Sequence, residues 1–248
     1  NSGRSPQPHL HFQIQPTPFI GSKTIEYPIS SYIRHNNENF IFESFTFPKQ
    51  FERVSNIEKN TLLYKTFHLI PGQKLKFEVI DNDNKSEIEW EVLTDIYNNS
   101  YIYCKETDSF AYFFFDGFIF YFKNFVGYKS SLLYFFFLGL YKIQTGFYKG
   151  LKLSDDFPLH QLFNKSSLFI QDFIAPFYIF YKAGYNVCYE SADNDLSPSV
   201  IKIGSDVEKK IFNKVVEKIS FEIKITEKGF SNITIKEKEK IINIKCIE

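Results

Sequence analysis

Polar and apolar positions alternate along much of the chain, and that period of two predicts strands. Residues 74–80 alternate cleanly, residues 81–84 read Asp-Asn-Asp-Asn as a turn, and residues 87–92 alternate again. Residues 101–104 predict a further strand. Residues 110–121 hold two aromatic runs joined by Asp116 and Gly117, a strong hairpin signal. Near the end, residues 219–225, 232–235 and 242–246 predict a meander with a turn at Lys228 and Gly229. The alternation of lysine and glutamate across residues 209–240 reads as the wet face of an exposed sheet.

Two stretches depart from the alternation. Residues 130–147 are nearly continuously apolar and begin with serines suited to capping a helix; residues 166–174 form a second helical candidate ended by Pro176. Residues 206–218 are ambiguous, because Ile211, Phe212, Val215 and Val216 fall at helical spacing. The opening octet is full of turn formers, residues 9–14 alternate as a strand, and residues 16–31, with three prolines and Gly21, read as an irregular wrap. The expected fold is mainly β (α+β): terminal strands of one sheet in residues 1–47, then a mostly antiparallel meander with one or two helices in residues 48–248.

Composition sharpens this picture in a few places. The 30 phenylalanines and 16 tyrosines require a core built of aromatic rings. The chain contains no methionine, which leads us to expect the C-terminal piece of a longer protein. Lysine plus arginine equals aspartate plus glutamate at 29 each, without a basic stripe, so a nucleic-acid partner is not expected. Cys104, Cys188 and Cys246 are too scattered for a metal knuckle or disulfide framework and read as buried free thiols. The longest apolar run is bounded by Lys129 and Lys142, short of the ~20 residues that a membrane span needs, so no transmembrane segment is expected.

The chemistry-bearing pattern is His9-Leu10-His11. On a strand, residues two apart emerge on one face ~7 Å apart, while Leu10 and Phe12 point into a core. One imidazole can then bind a metal while the other reaches a bound water or a developing oxyanion. The flanks add specificity: Gly3, Ser5, Pro8, His9, Leu10, His11 and Phe12 together resemble the Gly-x-Ser-x-x-Pro-His-Leu-His-Phe box of the lysostaphin/LytM-type zinc peptidases. The departures are Pro6, Gln7 and Gln13, where threonine, glycine and glutamate are frequent; none of the three is a metal ligand.

That resemblance covers about the first 20 residues, the end of a peptidase β-sheet. It implies that His9 is catalytic, that His11 is a zinc ligand, and that further ligands in a His-x-x-x-Asp box precede Asn1. The parent would be a secreted or periplasmic zinc metalloendopeptidase of the bacterial cell envelope cutting peptidoglycan peptides, and these 248 residues alone would be inactive. The extension from residue 48 is also similar to those of chains in which such a peptidase follows a urea-transporter-type membrane domain. Two alternatives stay open: a non-catalytic LytM-type activator of a wall hydrolase, or a ligand-binding β module.

Other candidates carry less. His68, in an apolar run, is expected to be a hydrogen-bonded core residue, and His160 a loop residue. Asp81, Asp83, Asp193 and Asp195 lie in turns that lack the spacing of a calcium loop. Asp155 and Asp156 are neighbours whose side chains diverge on an extended chain. The aromatic run 110–125 reads as hairpin core, with a ligand-stacking wall as its alternative.

Overall fold

The computed structural model describes residues 14–36, 39–81, 84–194 and 198–247. Among them the alternating segments become fifteen strands of one mixed sheet, with four helices, and the fold is mainly β. β1 (Ile29–Asn36) and β2 (Asn39–Thr46) form a hairpin, and β3 (Arg53–Ser55) lies against β1. Helix α1 (Thr61–Phe67) leads into the meander β4 (Lys74–Asp81), β5 (Asn84–Thr94), β6 (Ser100–Cys104), β7 (Ser109–Phe115) and β8 (Ile119–Val126). Helix α2 (Leu132–Gly139) and β9 (Lys142–Gln144) follow. Then come β10 (Lys152–Asp156), α3 (Leu159–Leu162), α4 (Lys165–Ile174) and a second meander, β11 (Tyr181–Ala192), β12 (Val200–Ile211), β13 (Lys214–Thr226), β14 (Gly229–Glu237) and β15 (Lys240–Cys246).

The two meanders join because β15 pairs antiparallel with β4, so strands about 160 residues apart in sequence become neighbours. At the other side β10 pairs with β11 and, in parallel, with β2 through Lys152 and Ile41. Strands from both sides of Phe47 therefore share the sheet.

Helix α2 explains the shape. All its side chains apart from Gly139 are leucines or aromatics, and a helix apolar on every side must be surrounded. The sheet rolls around it. Phe136 touches Phe77 of β4, Trp90 of β5, Phe122 of β8 and Phe230 of β14 at centroid distances of 5.0–6.4 Å. On the opposite side a Cβ at Gly139 would stand 2.7 Å from the Phe221 ring of β13, so only glycine lets that strand approach. The Gly139 carbonyl accepts from the Tyr185 hydroxyl at 3.1 Å and the Ser205 hydroxyl at 2.6 Å. The roll comes back on itself through side chains: Lys142 on β9 pairs with Asp155 on β10 at 2.6 Å. The Tyr189 hydroxyl of β11 also accepts from the Gln144 N–H and donates to its carbonyl.

Both ends of the roll are plugged. α1 begins on Asn60, whose side chain accepts the Leu62 and Leu63 N–H groups, and drives Phe67 against Phe120 and Phe230. At the far end Gln161 of α3 is buried and donates to Asn124 and to the Phe125 carbonyl, while its own carbonyl accepts from Tyr134 and Lys129. Among the described residues the interior is filled by one continuous cluster of buried side chains.

The two expected helices are present as α2 and α4. The apolar run 130–147 divides, however: the helix stops at Gly139, and the Tyr141 carbonyl accepts the Phe122 N–H as the chain turns into the sheet. Residues 206–218 are a β-hairpin and not a helix. Its turn is Phe212-Asn213, both at positive φ (49° and 64°), and Val207 and Ile219 point inward with the period of a strand. The buried run of the first hairpin, Phe113, Phe120, Phe122 and Phe125, is core as expected, with Gly117 at φ +90° in its turn. No helix among the described residues is long and apolar enough to cross a membrane.

Candidate functional site

His9 and His11 lie outside the described residues, which begin at Ile14 in a bridge to Ile25. The other three histidines lie on different elements. His35 on β1 bonds through Nε2 to Ser55 Oγ at 2.8 Å and meets the Phe40 ring. His68 is not the core residue expected: it caps the C-terminus of α1 and is exposed against Tyr64 and Phe115, while Phe67 and Leu69 on either side take the buried positions. His160 sits on α3 rather than in a loop, exposed, with its ring nitrogen 3.0 Å from Gln161 Nε2.

Among the described residues no three His, Cys, Asp or Glu side chains converge. A catalytic zinc takes about three protein ligands, and the resemblance supplies one here, His11. The donor set among the described residues does not by itself fit the ion.

The acidic turns hold the protein together instead. Asp81 pairs with Lys240, and Asp193 accepts from Ser199 and from the Val200 N–H, while Asp83 and Asp195 lie outside the described residues. Cys104 is buried and Cys188 and Cys246 are half-buried, and burial pushes the Cys104 and Cys188 thiols up, away from nucleophilic thiolate.

What the fold does assemble is a groove of about 410 Å³ where the β1–β2 hairpin faces β8 and β9. Sequence-distant residues build it: Ser30 and Ser31 from β1, Ser44 and Phe45 from β2, Phe114 from β7, Tyr121 from β8, Lys142 from β9 and Asp155 from β10. Nothing local in residues 29–46 signals this; the parallel register between β2 and β10 carries the serines to the aromatic wall. Phe114 and Tyr121 are cross-strand partners with ring centroids 5.4 Å apart, and Lys123 lies over the Phe114 ring. The volume suits a small ligand, and ring faces beside hydroxyls suit one with apolar faces and polar edges.

Its charged groups are already engaged. Lys142 and Asp155 pair at 2.6 Å, and Asp116 accepts the Phe118 and Ile119 N–H groups of its own turn. Tyr141 is pushed up to about 12, by burial first and then by the Asp155 charge. Its hydroxyl therefore stays protonated near neutrality. The groove thus combines engaged charges with the hydroxyls of Ser30, Ser31, Ser44 and Tyr121.

The Tyr141 shift fixes a pH dependence. Below pH 10 both folded and unfolded chains hold the proton and nothing changes; between pH 10.0 and about 12 only the unfolded chain ionises, so stability falls as pH rises. Burial raises Tyr185 and Tyr189 in the same direction. Urea midpoints should therefore drop between about pH 10 and about pH 12, and Tyr141→Phe should flatten that drop. An identical slope in the variant would show that Tyr141 is not held neutral by the fold.

No family model matches the chain, and neither a curated protein nor a solved structure matches it.

Proposed function

We propose that this chain is part of a zinc metalloendopeptidase that hydrolyses peptide bonds of peptidoglycan in the bacterial cell envelope, with the rolled sheet as its accessory module. The observation that carries the reading is the seven-residue agreement of Gly3, Ser5, Pro8, His9, Leu10, His11 and Phe12 with the lysostaphin/LytM-type box. In it His11 is a ligand and His9 an acid/base or oxyanion-stabilising group.

A second reading, a binding module, is favoured by the groove between Ser30, Ser44, Phe114 and Tyr121, whose aromatic and hydroxyl lining suits a wall sugar or peptide. One experiment separates the two. Purified peptidoglycan incubated with the full-length protein is expected to release new amino termini, to stop doing so when zinc is chelated, and to resume when zinc is restored. Co-sedimentation with the wall without cleavage at any metal concentration would replace the peptidase by the module.

A further inference from the structure

Helix α4 is built the wrong way round for a soluble protein. Its buried side chain is Gln171, whose Oε1 accepts the N–H groups of Phe180 and Tyr181 at 3.1 and 2.9 Å. Those two bonds fix the rotation of the helix, and they turn Phe169, Ile170 and Phe173 to the outside at 74%, 51% and 80% exposure. The chain continues the display through Phe177, 90% exposed, Tyr178 and Ile179. Rolling the helix inward to hide these rings would break both bonds and leave buried backbone donors unpaired.

The tip of the β12–β13 hairpin adds to the same surface. Phe212 stacks on Tyr178 with centroids 6.1 Å apart and on Phe180 at 5.6 Å, and Val215 and Val216 beside it are exposed. Two separate elements thus project large apolar side chains together. A patch of this kind marks a binding surface rather than ordinary surface scatter.

The fringe identifies the occupant. Lys182 of β11 donates to Asn213 at the hairpin tip at 2.9 Å, Lys214 opens β13 beside that tip, Lys165 and Asp172 stand on α4, and Lys209, Lys210, Glu208 and Glu217 lie on β12 and β13. Lys210 is paired with Glu208 and Lys209 with Glu217, which leaves a positive rim at Lys165, Lys182 and Lys214. A symmetric pairing of two copies would set one lysine rim against another. A sheet of anionic headgroups over an apolar layer complements both features at once, with the rings entering the acyl boundary and the lysines meeting phosphate.

We propose that α4, the 177–179 segment and the β12–β13 tip form a peripheral docking surface for an anionic lipid bilayer. The helix lies in the interface plane and does not cross it. This inference stands apart from the peptidase reading, since neither His9 nor His11 enters it.

The test is co-sedimentation of the full chain with vesicles of phosphatidylcholine alone and of phosphatidylcholine with phosphatidylglycerol. Binding is expected to the phosphatidylglycerol vesicles and to weaken as salt rises. The Phe173→Asp/Phe177→Asp double variant should lower partitioning by more than about tenfold, from the loss of two apolar insertions. Both side chains are exposed, so its circular dichroism should match the wild type. Phe212→Asp, on a different element, should weaken binding independently, and Lys165→Glu/Lys214→Glu should remove the preference for phosphatidylglycerol. Absence of binding to either vesicle, unchanged binding by the double variant, or a dimer in solution that the same substitutions dissolve would each overturn the proposal.

Discussion

Phe136→Ala is expected to remove about 3–5 kcal/mol from the free energy of unfolding. The ring is 1% exposed in the middle of α2 and meets aromatic rings from β4, β5, β8 and β14, strands drawn from both meanders. Truncation loses the transfer free energy of a buried ring and leaves a cavity. Strands hydrogen-bonded on both sides cannot collapse to fill it. Against a typical total of about 5–15 kcal/mol the loss is a large fraction. Trp90 makes it measurable, being the single tryptophan, fully buried and 5.0 Å from Phe136, so its emission reports unfolding and should shift in the native variant as well. Phe135→Ala is the control: Phe135 is only half-buried on the same helix and should lose clearly less. Equal losses in the two variants would mean that α2 is not the axis around which the sheet is rolled.

The parts of this fold legible in the sequence are those in which one face is wet. β4, β13 and β14 alternate because their outer faces carry Lys76, Glu78, Glu222, Lys224 and Lys236 while Phe77, Val79, Phe221, Ile223 and Ile235 point inward. The hairpin at Asp116 and Gly117 was legible because its turn needs a positive φ that glycine accepts.

Where both sides are buried the alternation disappears. Residues 132–141 run apolar through the end of α2 and on to the edge of β9, so periodicity cannot find the point at which the helix stops. The opposite failure occurs at residues 211–216. Phe212, Val215 and Val216 are exposed around the hairpin tip and Ile211 is half-buried, so their helical spacing reflects no buried face, and the turn at Phe212 and Asn213 lacks the Asn-Gly signature that announces such a bend. α4 was readable as a helix from its spacing, yet which face it turns to solvent depends on Gln171 and the N–H groups of residues 180 and 181, a contact between elements. The groove was equally hidden. Its serines and its aromatic wall are some 70–90 residues apart and meet only through the β2–β10 pairing.

The second large effect is chemical and rests on two positions, one residue between them, that the peptidase proposal assigns different duties. In the full-length protein His11→Ala should lower bound zinc well below stoichiometric and abolish wall hydrolysis, because a site of about three protein ligands loses one. His9→Ala should abolish hydrolysis to a similar extent, by more than about a hundredfold, while keeping much of the zinc, since general acid/base or oxyanion groups contribute that much without holding the metal. The two substitutions are two residues apart and remove the same ring, so differences in folding cannot account for a split between them. Zinc content by elemental analysis beside release of amino termini from peptidoglycan gives both readouts on one sample. Retention of zinc and activity in both variants would remove the peptidase proposal; loss of zinc in both would make His9 a ligand too. Only zinc kept without His9 and lost without His11 matches two imidazoles leaving one face of a strand for separate tasks.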